Sequence, residues 1–89
     1  MFLGKVVGTV WATRKDESLV GMKLQIVKHV GLDYRVKDSF VVAVDTVQAG
    51  VGDIVLVVSG SSSRQTELTK NKPVDAVIMA IVDKLDVAD

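Results

Sequence analysis

The residues that could do chemistry in this chain are few. His29 is the only histidine, set between Lys28 and Val30 in a sequence without cysteine. A zinc site draws three or four ligands from histidine, cysteine and carboxylates. One imidazole with no carboxylate at strand spacing beside it does not assemble one, so His29 reads as an exposed or edge side chain. The lack of cysteine also removes disulfides and thiolate nucleophiles. Asp45, Asp75 and Asp83 lie in or beside apolar segments, where paired carboxylates could do acid/base work. Buried charges are rarely left alone, so these aspartates read instead as acceptors for backbone N–H groups at turns or as partners of basic side chains.

Two glycine motifs invite a comparison with phosphate binding. Gly50-Val51-Gly52 has the spacing that opens a dinucleotide fingerprint, but the third glycine would fall at position 55, where Val55 stands. The motif reads as a tight connection between strands, with φ free to turn positive at Gly50 and Gly52. Gly60-Ser61-Ser62-Ser63-Arg64 places small residues and an arginine at what could be a helix start, a setting that can hold an anion. The lysine followed by Ser or Thr of a nucleotide-binding loop is missing, so this run reads as a structural or interface loop. Trp11, Phe2, Tyr34 and Phe40 are too few and too scattered for a base-stacking platform.

These residues sit on a valine-rich frame. Valine supplies 19 of the 89 residues, and β-branched side chains favour a pleated, packed surface. Residues 3–13 predict a first strand, in which Gly4 and Gly8 mark a bend or a close backbone approach. The charged run Arg14-Lys15-Asp16-Glu17-Ser18 predicts a solvated hairpin tip. Residues 22–30 alternate, with Met22, Leu24 and Ile26 on the face expected to be buried and Lys23 and Gln25 on the other. A polar loop is expected over 31–39, a third strand over 40–47 and a fourth over 54–58, these two forming a central hairpin. Residues 61–69 predict a short helix or a single turn. Asn71-Lys72-Pro73 punctuates the chain, and residues 74–87 fit a helix by spacing and a buried strand by β-branched content; periodicity does not choose between them.

Length and charge bound the answer further. A chain of 89 residues is one domain, and it buries only about 60 to 65% of its unfolded surface. Its residues are 48% hydrophobic and its mean hydropathy is +0.35, yet no apolar run approaches the roughly 18 to 20 residues of a bilayer span. High hydrophobicity in so short a chain predicts apolar surface shared between subunits. Eleven basic residues balance eleven acidic ones, so no net field draws the protein to nucleic acid or to an anionic membrane. The first residues lack the basic and apolar regions of a secretory signal, which predicts a cytosolic protein.

Five ordered pieces of the chain carry a resemblance. They are 4–13 (GKVVGTVWAT), 21–24 (GMKL), 43–53 (AVDTVQAGVGD), 60–64 (GSSSR) and 73–76 (PVDA). In this order they resemble the EutN/CcmL family, the pentameric vertex proteins of bacterial microcompartment shells, over nearly the whole chain. Gln48 departs from the pattern where the family often has glycine, and Ser63 where it often has alanine. The resemblance implies a mainly β fold, a five-stranded barrel related to the OB-fold with one short helix, assembled as a homopentamer. It also implies a strand over 77–82, no catalysis, no cofactor, and a structural role at the corners of a cytoplasmic shell beside hexameric and pseudohexameric shell proteins. The small loops, with Gly50, Gly52, Gly60, Ser61, Ser62, Ser63 and Arg64, are expected at subunit contacts. The competing reading is an OB-like module for single-stranded nucleic acid, against which neutral charge and scarce aromatics both weigh.

Overall fold

Each of five runs rich in valine or isoleucine becomes a strand. The structure, a computed structural model, describes all residues except 71, 73 and 89, and at Ser61 and Ser62 the backbone alone. The strands are β1 (Phe2–Val10), β2 (Leu24–Val30), β3 (Val36–Asp45), β4 (Ile54–Ser59) and β5 (Ala76–Ile81), closed into a barrel in the order β1-β2-β3-β5-β4. All neighbours are antiparallel except β3 and β5, which run parallel and pair only at Val44 with Val77 and Asp45 with Ile78. Short 3-10 turns occupy Glu17–Leu19 and Gly60–Arg64.

Side chains alternate across the barrel wall. Val6, Val27, Ala43, Val55, Val57 and Ile78 point inward and are almost wholly buried. Val44, Val58 and Val77 point outward, where Met22, Val74, Leu19 and Leu24 cover them as a second cluster. The chain thus has a core inside the barrel and a smaller one outside it.

The third and fourth strands are not a hairpin. β5 lies between them, so the segment from Thr46 to Asp53 crosses the end of the barrel rather than turning back on itself. The tail is a strand at Ala76–Ile81, as the resemblance implied and the helical spacing did not. Its adjacent residues fill both clusters, Val77 outside and Ile78 inside.

Strand ends differ in instructive ways. β3 begins at Val36, inside the expected loop, because Val30 pairs with Val36 on an arm that projects beyond the barrel. Residues 36–40 of that arm are all exposed, so its charged residues mimic a loop. β3 stops at Asp45 because the Asp45 carboxylate accepts the Val47 N–H at 2.9 Å and bends the chain. β1 stops at Val10, and the charged connection holds a 3-10 turn rather than a bare hairpin tip. There Asp16 accepts hydrogen bonds from the Ser18 hydroxyl and N–H, which hold its carboxyl below the ordinary carboxylate range. The helical segment expected over 61–69 is the 3-10 turn at Gly60–Arg64 followed by further turns, and the punctuation at Asn71 and Pro73 lies outside the described residues.

The largest difference concerns β2. Its alternation is real, but Gln25 points inward, 1% exposed, while Leu24 and Ile26 point outward and stay partly exposed. Gln25 is held by full use of its amide. Oε1 accepts from the Thr9 hydroxyl at 2.7 Å, and Nε2 donates to the Ala49 carbonyl at 2.8 Å and to Asp45 Oδ2 at 3.3 Å.

Candidate subunit-contact surface

Chemistry-bearing side chains are dispersed over the barrel. The imidazole of His29 stacks on Phe2 with ring centroids 4.2 Å apart, and its Nδ1 lies 3.0 Å from the Ser39 hydroxyl. That places it as a half-buried packing residue on a strand paired on both sides, rather than at the exposed or edge position expected. Asp45 serves the crossover, accepting from Val47 and Gln25. Asp75 is exposed, and its backbone carbonyl accepts the Gly60 N–H at 2.8 Å. Asp83 is exposed beyond β5.

The two small loops occupy separate places. Near β1, Gly50 donates its N–H to Asp53 Oδ2 at 2.8 Å, and the Asp53 N–H returns to the Gly50 carbonyl at 3.1 Å. Gly52 N–H and Val6 carbonyl, with Val6 N–H and Asp53 carbonyl, stitch this turn to β1 at 2.8 and 3.0 Å. Val51 sits at the tip, 68% exposed. Gly52 uses the left-handed region at φ 98, but Gly50 does not; the second left-handed residue of the crossover is Gln48, at φ 60. A side chain there is strained by about 1 to 3 kcal/mol. Gln48→Gly is therefore expected to raise stability by about 1 kcal/mol after the added flexibility of the unfolded chain is subtracted. Urea unfolding at fixed protomer concentration measures it, and an unchanged or lower midpoint contradicts the strain.

The Gly60–Arg64 turn is built from hydroxyls. Gly60 takes φ 67. The Ser63 hydroxyl, wholly buried, donates to the carbonyls of Gly60 at 2.6 Å and Val74 at 3.1 Å. Thr69 donates its hydroxyl to the Ser63 carbonyl at 2.7 Å. The Gly60 N–H is already spent on Asp75, so the turn does not aim it at an anion. Ser63 thus shapes the loop from within, a role alanine could not fill. Arg64 is exposed, with Nη1 donating to the Val74 carbonyl at 3.3 Å. Gly60 also borders a groove of about 390 Å³ shared with Val41, Val42, Asp75 and Ala76, so this loop and β3 present one continuous surface.

A model of the family described as ethanolamine utilisation protein EutN/carboxysome matches residues 1–83. The chain belongs to the EutN/CcmL family. It is 45% identical over 86 residues to the microcompartment shell vertex protein GrpN of Rhodospirillum rubrum, covering 97% of each chain. It is 39% identical over 83 residues to the carboxysome shell vertex protein CcmL of Thermosynechococcus vestitus, covering 93% of this chain and 84% of that one. Among solved structures, CcmL of Gloeobacter violaceus superposes with a TM-score of 0.93 at 36% identity, covering 98% of this chain and 90% of that one. GrpN of Rhodospirillum rubrum, described as a pentameric microcompartment shell protein, superposes with a TM-score of 0.87 at 43% identity over the full length of both chains. The barrel is the fold of these solved relatives.

Reasoning from sequence missed the Thr9–Gln25–Asp45 network and the outward-facing β2–β3 surface. The signal for both was one glutamine alternating with Leu24 and Ile26. It said that one face is apolar, and left open which face is inside.

Proposed function

We propose that this chain is a non-enzymatic structural protein that forms a ring of five and closes the vertices of a cytoplasmic bacterial microcompartment shell, edge to edge with hexameric and pseudohexameric shell proteins. The observation that carries it is the full-length match to a pentameric shell protein. Flat layers of six-fold tiles close into a polyhedron only where five-fold units interrupt them, so a small barrel that assembles in fives supplies the corner. The balanced charge suits a component that meets protein edges rather than a polyanion. Gly50 and Gly52 on one loop, and Gly60, Ser61, Ser62, Ser63 and Arg64 on the other, frame the subunit contacts in this reading.

Native mass spectrometry at micromolar concentration is expected to find five chains of 9.6 kDa; a monomer or dimer overturns the ring. Co-expression with hexameric shell proteins is expected to give closed polyhedral shells, and open or elongated bodies when this chain is omitted. Closed shells without any vertex protein overturn the role. Arg64→Ala is expected to leave the far-UV circular dichroism unchanged while raising the protomer concentration for half-assembly roughly tenfold, as the loss of one good interface contact does. An unchanged assembly midpoint removes Arg64 from the contact.

A further inference from the structure

We infer that a second copy of this chain covers the outer face and open edge of β3, meeting them with the apolar outer face on the β4 side of its own barrel. The inference rests on the pentameric reading above and adds the surfaces that build the ring.

The first surface follows from the inverted alternation of β2. With Gln25 and Asp45 inside, the outward positions of the β2–β3 pair are mostly apolar: Leu24 and Ile26 on β2, Phe40 and Val42 on β3, with Lys28 opposite Phe40 at the margin. Phe40 is 60% and Val42 42% exposed. Ile26 and Val42 are directly paired, and Gly8 beside Ile26 has no side chain to shield it. The backbone is bare as well. β5 meets β3 at only two residues, so over residues 36–43 the described β3 backbone has strand partners on the β2 side alone. An apolar strand with an open edge is a template for association. The groove beside Gly60 continues this surface.

The second surface lies across the barrel. In the circular order β1-β2-β3-β5-β4, the middle of the β2–β3 pair is opposite β4. The outward positions there are Leu3 on β1, Ile54 and Leu56 on β4, and Ala80 on β5, all partly exposed, with Lys5 paired to Ile54 at the margin. Met79, the extra residue at the β4–β5 register shift, is 42% exposed. The exposed Val51 follows on the loop leading into β4.

A closed ring of identical subunits needs this arrangement. Each copy must present two different, mutually complementary patches, because a self-complementary patch ends at a dimer. Two apolar faces on opposite sides of one small barrel meet that need, whereas a different partner on either face would leave the other uncovered. The relative that shares 43% identity over the full length of both chains is described as pentameric.

Two charge substitutions and their mixture test the pairing. Phe40→Glu damages the first face and Met79→Glu the second. Each alone is expected to reduce the five-chain species to single chains of 9.6 kDa at micromolar concentration, with the far-UV circular dichroism of the parent. Mixed in equal amounts, they are expected to form a heterodimer and nothing larger. The intact second face of the Phe40→Glu chain finds the intact first face of the Met79→Glu chain, and the next junction would join two damaged faces. A five-chain ring persisting in either variant, or a mixture that stays monomeric, overturns the assignment while the parent ring stands. A parent that is itself monomeric instead overturns the pentameric reading. Where Phe40→Glu loses its fold, Val42→Lys poses the same question at the next outward position.

Discussion

Gln25→Ala is expected to lower the unfolding free energy by about 3 to 5 kcal/mol, from orphaned buried partners and the space left behind. A chain of this length has only about 4 to 13 kcal/mol in total. The Gln25 amide satisfies three groups from three parts of the chain: the Thr9 hydroxyl on β1, the Asp45 carboxylate at the end of β3, and the Ala49 carbonyl in the crossover. Ala49 is 1% exposed, so its carbonyl finds no water when the amide is removed. Gln25→Met, which keeps most of the volume, is expected to recover only the packing part of the loss. Urea unfolding followed by circular dichroism at one fixed protomer concentration measures both, since assembly contributes to apparent stability. Equal midpoints for the methionine variant and the parent would show that the amide bonds add nothing net.

That network also marks the limit of what could be read from the residues. The strands at the centre of the chain were legible because runs of valine bounded by glycine have few alternatives to a packed sheet. The tail was not legible by spacing. Val74, Val77, Ile78 and Ile81 suit a helix face, yet β5 places Val77 and Ile78 in two different clusters on the two sides of the wall. Adjacent apolar residues are needed when a strand is covered on both faces, and that pattern is shared with a helix. Pairing order was equally hidden. Nothing local to residues 40–58 says that a strand from residue 76 onward will enter between β3 and β4. The loops were located, and Gly52 and Gly60 take positive φ, but the connection over 48–53 is a crossover rather than a tight turn between paired strands, and its other left-handed residue, Gln48, is revealed by φ 60 alone.

The alternation of β2 was a true signal assigned to the wrong compartment. Leu24 and Ile26 belong to a face that the single barrel leaves partly bare, the face proposed above to meet a second copy. The inside of the barrel is filled by valines, alanines, Ile78 and one glutamine, while Phe40 stands outside. The alternation therefore marks an apolar face correctly without saying on which side of the barrel wall it lies.

The glycines of β1 give the last expectation, because two that look alike in sequence differ sharply in surroundings. A Cβ added at Gly4 falls on Cγ1 of Val27 and lies 3.0 Å from the Lys28 carbonyl oxygen. Val27 is wholly buried in the barrel core and stiff at χ1, and the carbonyl is tied into the β1–β2 ladder, so neither neighbour gives way cheaply. Gly4→Ala is expected to cost about 2 to 3 kcal/mol by overpacking. At Gly8 the nearest atom to an added Cβ is the tip of Ile26 at 3.5 Å, an ordinary contact. Gly8→Ala is expected to be neutral or to stabilise by up to about 1 kcal/mol, since alanine loses less freedom on folding. The pair is measured as thermal or urea midpoints of the two variants under identical conditions. Equal losses at both positions would mean that strand conformation, not the close approach of β2, selects glycine in β1.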